Sequence, residues 1–131
     1  MYRVEVTNKD DSVFKVKSKD YEFVIDTEGK GITPPDTLLA SLGGCIGVYL
    51  RRYLDGYKIT AKEFNIILEA DLSKESPISF RDINVSVNLK ELQIDESNKK
   101  RLLEFIKNCP VHNTLKTNPY IEIKLISWIY T

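Results

Sequence analysis

The stretch Pro34-Pro35-Asp36-Thr37-Leu38-Leu39-Ala40-Ser41-Leu42-Gly43-Gly44-Cys45-Ile46-Gly47-Val48-Tyr49-Leu50 decides the fold, because its spacing is that of one long helix. Proline punctuation marks the start, and Asp36 follows as an N-cap or first-turn acid. Leu38, Leu42, Cys45, Tyr49 and Tyr53 form one stripe, widened by Leu39, Ile46 and Leu50 until Arg51-Arg52 interrupts it. Asp55-Gly56 ends the helix. So wide an apolar surface predicts a buried central helix. Gly43-Gly44 stand mid-helix, each about 1 kcal/mol worse there than alanine. That predicts a close backbone approach beside Cys45.

Upstream, the pattern is that of short strands. Arg3 to Thr7, Val13 to Lys17 and Tyr21 to Ile25 each alternate, with the polar turn Asn8 to Asp11 between the first two. Thr27 to Gly31 is a flexible loop leading to the prolines. Downstream, two long strands are expected at Lys58 to Leu72 and Ile78 to Leu89, joined by the turn Ser73 to Pro77. In the second, Ile83, Val85, Val87 and Leu89 fall on one face. Asp95-Glu96-Ser97 opens a second helix whose core side is Leu102, Leu103, Phe105 and Ile106, stopping at Asn108. Cys109-Pro110 begins a short third helix, and Tyr120 to Ile129 alternates as a final strand. The order predicts a single α+β domain over 1–131, with a largely antiparallel sheet and the central helix packed across it.

The 131 residues include 19 lysines and arginines against 19 aspartates and glutamates, a net charge of zero. Nucleic-acid binders carry a basic surplus to neutralise phosphate, and none exists here. No apolar run approaches the roughly 20 residues of a membrane span, and the first residues have no secretory character. A cytoplasmic protein without nucleic-acid or membrane partners is expected, and its neutrality favours a homo-oligomer. In a reducing compartment, two cysteines are a redox pair, a reactive site or plain core rather than a staple.

Cys109 has the better local argument for reactivity. In Asn108-Cys109-Pro110-Val111-His112, proline fits the first helical position and places Cys109 at the N-cap. Unpaired N–H groups and the positive helix end are expected to lower its pKa. His112, the sole histidine, stands where a side chain reaches back to the cap. The plain alternative is a capping turn with an incidental thiol. Cys45 lies on an apolar stripe, where a cysteine is more often inert core. No paired C-x-x-C spacing supports a metal site, and no Gly-rich phosphate loop supports a nucleotide cofactor.

Pro35-Asp36-Thr37-Leu38-Leu39-Ala40-Ser41-Leu42-Gly43-Gly44-Cys45 resembles the first cysteine motif of the OsmC/Ohr family, the osmotically inducible and organic-hydroperoxide-resistance proteins. Asn108-Cys109-Pro110-Val111-His112-Asn113-Thr114-Leu115 resembles the second motif of its OsmC-like branch, and the two motifs in order span essentially the whole chain. The resemblance implies an intertwined homodimer, with a sheet wrapped around two central helices packed back to back. It implies thiol peroxidase chemistry of the oxidative stress response: Cys45 attacks an organic hydroperoxide and becomes a sulfenic acid, Cys109 condenses with it to a disulfide, and an external dithiol restores both. It places an acidic residue at Asp36, and a site beside Leu42, Ile46 and Tyr49 would prefer bulky apolar hydroperoxides. The chain departs from the family in one respect. No arginine lies between Arg3 and Arg51, leaving lysines, Lys15, Lys17, Lys19 and Lys30 among them, as the cations of that region. The alternative function is a protein of this fold that binds a small apolar or thiol-reactive ligand without efficient peroxidase activity.

Overall fold

A computed structural model of the chain describes residues 1–90 and 92–127. Three strands, β1 (Glu5–Asn8), β2 (Phe14–Ser18) and β3 (Tyr21–Ile25), form an antiparallel meander. A long helix, α1 (Pro34–Gly56), follows, then a separate antiparallel pair, β4 (Asn65–Glu69) and β5 (Asn84–Asn88). Helices α2 (Glu96–Ile106) and α3 (Pro110–Lys116) complete the order. The α+β class and the order of elements through α3 are as expected, but the strands belong to two sheets rather than one.

Alternation sets the register of the meander. Val6 lies opposite Val16, which lies opposite Phe23, and Phe14 lies opposite Ile25. One face is therefore apolar, and the other carries Glu5, Lys15, Lys17 and Glu22. Val16 at its centre is buried, while Val6, Phe14 and Phe23 around it stay exposed.

The connection from β3 to α1 is held by Asp26, the buried carboxylate among the described residues. Its oxygens accept the N–H groups of Glu28 (3.1 Å) and Lys30 (2.8 Å), and its own N–H donates to the Ile32 carbonyl. Burial pushes this carboxyl up, but the two N–H groups, the Ser12 hydroxyl and the Lys30 charge together hold it below the ordinary aspartate value. Gly31 fits here because a Cβ would stand 2.5 Å from the Val24 carbonyl oxygen. The expected consequence of Asp26→Ala is a roughly tenfold or greater loss of hydrogen-exchange protection at Glu28 and Lys30. Because the folded pKa is depressed, the clamp's stabilisation is present above the unfolded value of about 3.9 and fades as pH falls through the folded one. Unchanged exchange in the variant would contradict this role.

Thr33 rather than Asp36 caps α1, its Oγ1 accepting the Asp36 N–H, while its hydroxyl donates to Asp36 Oδ2 at 2.8 Å. Leu42, Ile46, Leu50, Tyr53 and Leu54 bury one side of α1 with Leu102 and Ile106 of α2. The Tyr53 hydroxyl reaches Asn98 Oδ1 at 3.3 Å, fixing α1 against α2. The expected burial of α1 is only partial within one chain: Ser41, Gly44, Val48 and Arg52 are exposed. Two helical assignments also change. Leu38 and Leu103, expected on core faces, are exposed; Leu103 is left outside because α2 meets α1 along its Leu102–Ile106 edge.

The long strands predicted from Lys58 and Ile78 are shorter. Residues 58–61 fold back on α1 instead: Lys58 takes a positive φ, the Ile59 N–H donates to the Leu54 carbonyl, and Arg51 donates to the Ala61 carbonyl. These backbone groups are spent on the helix end and are not free for a ladder. A bridge between Leu72 and Phe80 is what remains of the outer pairing. Tyr120 to Ser127 forms no strand either. These residues have no partner strand among the described residues, and Ile123, Leu125 and Ile126 are more than 90% exposed; the end of the predicted strand lies outside the described residues. No helix among the described residues is long and apolar enough to cross a membrane.

Candidate functional site

Two elements bring the cysteines together. Cys45 is carried mid-way along α1, and Cys109 sits at the start of α3, which packs against α1. The glycine expectation is met on one side only. A Cβ on Gly43 would stand 2.6 Å from Leu68 of β4, so α1 lies close on that strand, whereas Gly44 faces open space. Cys45 is half-buried and Cys109 is fully buried, at 0% exposure among Leu42, Ile46 and Leu50. Both are free thiols. They are neighbours, near enough for the charge of one to act on the other.

Cys109 is the N-cap of α3, as its proline predicts, and its Sγ accepts the His112 backbone N–H at 3.3 Å. The expected depression of its pKa is not found. Burial is the largest influence and pushes the thiol up, and the neighbouring Cys45 side chain pushes it the same way. The N–H groups of His112 and Val111 pull the other way without overcoming them. A capping position lowers a cysteine pKa only when it leaves the sulfur solvated, and this one is in the core.

The imidazole of His112 does not reach back to the cap. Its Nδ1 lies 3.1 Å from the Lys107 carbonyl oxygen, so within this site the residue acts through its backbone. Asp36 is not brought to the pair within the chain: nine residues of helix before Cys45 amount to about 13 Å of rise, and its carboxylate is engaged by Thr33. Arg52, two turns beyond Cys45, places its guanidinium 5.2 Å from the centre of the Tyr49 ring, and Arg51 lies over Phe64. Leu42 and Ile46 are core residues rather than the walls of an opening, and half-buried Tyr49 packs against Phe105 at 5.8 Å. Among the described residues no group of three or more histidine, cysteine or acidic side chains could hold a metal.

The geometry is that of a dithiol with unequal partners. One sulfur is reachable, the other is sealed and held by a backbone donor. Such a pair can form a disulfide when its sulfurs meet, and its half-buried member is the one an external molecule meets first.

A search of curated proteins found no match. Solved structures share the fold. An OsmC-like protein from Mycoplasma pneumoniae matches with TM-score 0.77 at 22% identity, over 90% of this chain and 89% of that one. A hypothetical protein from Aquifex aeolicus matches with TM-score 0.75 at 20% identity, over 90% and 89%. An organic hydroperoxide resistance protein OsmC from Legionella pneumophila matches with TM-score 0.63 at 15% identity, over 90% of each chain. The family model of the OsmC-like proteins matches residues 26–124, a span that runs from the Asp26 clamp through α1 and both cysteines. The chain belongs to the OsmC-like protein family.

Proposed function

We propose that the protein is a thiol peroxidase that reduces organic hydroperoxides. The observation that carries the reading is the neighbouring pair of free thiols, one half-exposed on α1 and one sealed at the cap of α3. The names of family neighbours from Legionella pneumophila and Elizabethkingia anophelis, both organic hydroperoxide resistance proteins, agree with it. Cys45, the reachable sulfur, attacks the distal oxygen of the hydroperoxide as a thiolate. The O–O bond breaks, the alkoxide takes a proton from solvent, and Cys45 is left as a sulfenic acid. Cys109 then gives up its proton and attacks the sulfenic sulfur, forming a Cys45–Cys109 disulfide with loss of water. An external dithiol reduces the disulfide by exchange and is itself oxidised, so each cycle converts one hydroperoxide and one dithiol into an alcohol, water and a new disulfide. Asp36 and His112 are the further site residues of this reading: His112 through the N–H that holds the Cys109 sulfur, Asp36 by way of a second subunit.

A second reading is favoured by one observation, the lack of any arginine between Arg3 and Arg51. It takes the protein as a binder of a small apolar or thiol-reactive ligand with little peroxidase turnover. Steady-state consumption of cumene hydroperoxide in the presence of dihydrolipoamide separates the two. Turnover that needs the dithiol supports the peroxidase, and its absence in fully reduced protein supports the binder.

We further infer an intertwined homodimer in the cytoplasm. The apolar face of the β1–β3 meander, the exposed residues 120–127 and the open side of α1 at Gly44 all lack cover within one chain, which supports this assembly. Unfolding should then shift to higher denaturant as protein concentration rises, by mass action. A stable monomer at micromolar concentration in light scattering would contradict it.

A further inference from the structure

Between the end of β5 and α2 lies a cavity that neither cysteine lines. β5 ends at Asn88, whose Oδ1 accepts the Lys90 N–H at 2.9 Å, and Lys90 takes a positive φ of 61°. The Leu92 N–H donates back to the Leu89 carbonyl, and Asp95 then caps α2. The turn lays Leu89, Leu92 and Ile94 beside α2 without closing on it. The space left is about 560 Å³, walled by Val87, Leu89, Leu92, Ile94, Leu102 and Leu103. Small-molecule sites are of this size, about 300–1,000 Å³, and mostly apolar. Val87, Leu89, Leu92 and Ile94 are only half-buried, and Leu103 is exposed. The charged residues lining the cavity are Lys90 and Lys99, both exposed, and no acidic side chain lines it among the described residues. Lys90 has a loose partner in Glu63, 3.7 Å away, and exposed pairs of this kind hold little energy. Lys99 forms no salt bridge among the described residues.

We propose that this cavity binds a free single-chain carboxylate, an amphipathic anion of the fatty-acid class, with its hydrocarbon tail along Leu92, Ile94 and Leu103 and its carboxylate beside Lys90 and Lys99. The apolar walls favour any chain that removes them from water, and charge decides which head it carries. Two lysines facing no acid select an anion over a neutral head and disfavour a cation. A lysine ammonium is a compact point charge on a flexible stem, suited to meeting a carboxylate at a solvent-facing edge. The open side lets the head stay hydrated while the tail is covered. Binding makes and breaks no covalent bond and leaves both thiols as they are. The inference goes beyond the peroxidase reading and holds whether or not the thiol pair turns over hydroperoxide. It also gives a role to Leu103, an apolar side chain of α2 that the core leaves outside.

The test is calorimetric titration of the reduced protein with octanoate, octanol and octyltrimethylammonium, one chain carrying a negative, a neutral and a positive head. Octanoate is expected to bind saturably with a Kd of about 1 mM or tighter. It should bind at least about threefold tighter than octanol, with the ammonium weakest, as two exposed cations acting on one carboxylate would give. Replacing both cations, Lys90→Gln with Lys99→Gln, should abolish the preference for octanoate over octanol. Leu103→Gln should weaken both by about fivefold, because the lost contact is apolar. All three side chains are exposed, so the variants keep the fold, which circular dichroism verifies. No saturable octanoate binding up to about 10 mM would overturn the proposal, as would an unchanged octanoate preference in the double lysine variant. Sedimentation with phosphatidylglycerol vesicles in place of octanoate binding would make the patch a membrane contact and overturn it too. Cys45→Ser must bind octanoate as the wild type does; loss of binding there would put the chain at the thiols instead. The titration involves no peroxide, so failed hydroperoxide turnover leaves this site standing, and failed octanoate binding leaves the peroxidase reading untouched.

Discussion

Cys45→Ser is expected to leave a folded protein that consumes organic hydroperoxide at least about a thousandfold more slowly than the wild type. Cys45 is half-buried on α1 and packs against the core rather than in it, so exchanging its sulfur for oxygen disturbs little of the packing. A serine hydroxyl is far less nucleophilic toward peroxide than a thiolate, and the other sulfur cannot substitute for it, because Cys109 is fully buried. Dithiol-dependent loss of cumene hydroperoxide, followed alongside far-ultraviolet circular dichroism, checks both halves of the expectation. Full activity in the variant would mean that Cys109 is reached directly, and the sealed geometry would then be wrong.

The second large effect concerns the α1–α2 contact. Leu102→Ala should destabilise the protein by about 2–5 kcal/mol, the range for a buried leucine that leaves a cavity. Its neighbour Leu103→Ala should cost less than about 1 kcal/mol, since an exposed side chain forfeits little on truncation. The contrast is sharp because the two residues are adjacent: Leu102 is 4% exposed and Leu103 is 43% exposed. Urea unfolding of the two variants at one protein concentration measures it. Equal losses would show that α2 turns a wider face to the core than Leu102, Phe105 and Ile106.

Much of the fold was legible because its signals are local. The helices at Pro34, Asp95 and Pro110 begin where proline and capping residues say, and the meander follows its own alternation. What could not be read locally was the use of backbone groups over distance. Nothing in Lys58-Ile59-Thr60-Ala61 announces that its N–H and carbonyl groups close on Leu54 and Arg51 instead of a neighbouring strand. Leu103 looks as apolar as Leu102, and only the direction from which α1 approaches tells them apart.

The site was legible to the same degree. Asn108-Cys109-Pro110 specifies a cap, and the cap is there. Its electrostatic consequence depends on solvation, which is a tertiary property, and burial against α1 reverses the sign expected from the sequence alone. The contribution of His112 likewise moved from its imidazole to its N–H. The signal for the latter was present, since an N-cap side chain commonly accepts from the residue three positions on. Asp26 gave no such signal, because a carboxylate before a Gly-containing loop looks like ordinary turn chemistry until its burial is seen.

One measurement bears most directly on the peroxidase account: peptide mapping by mass spectrometry of the reduced protein after addition of a single equivalent of cumene hydroperoxide. The account predicts the loss of two hydrogens from the intact mass and a cross-linked peptide joining the Cys45 segment of α1 to the Cys109 segment of α3 within one chain. Free thiols at both positions, fully open to alkylation after excess hydroperoxide, would contradict it.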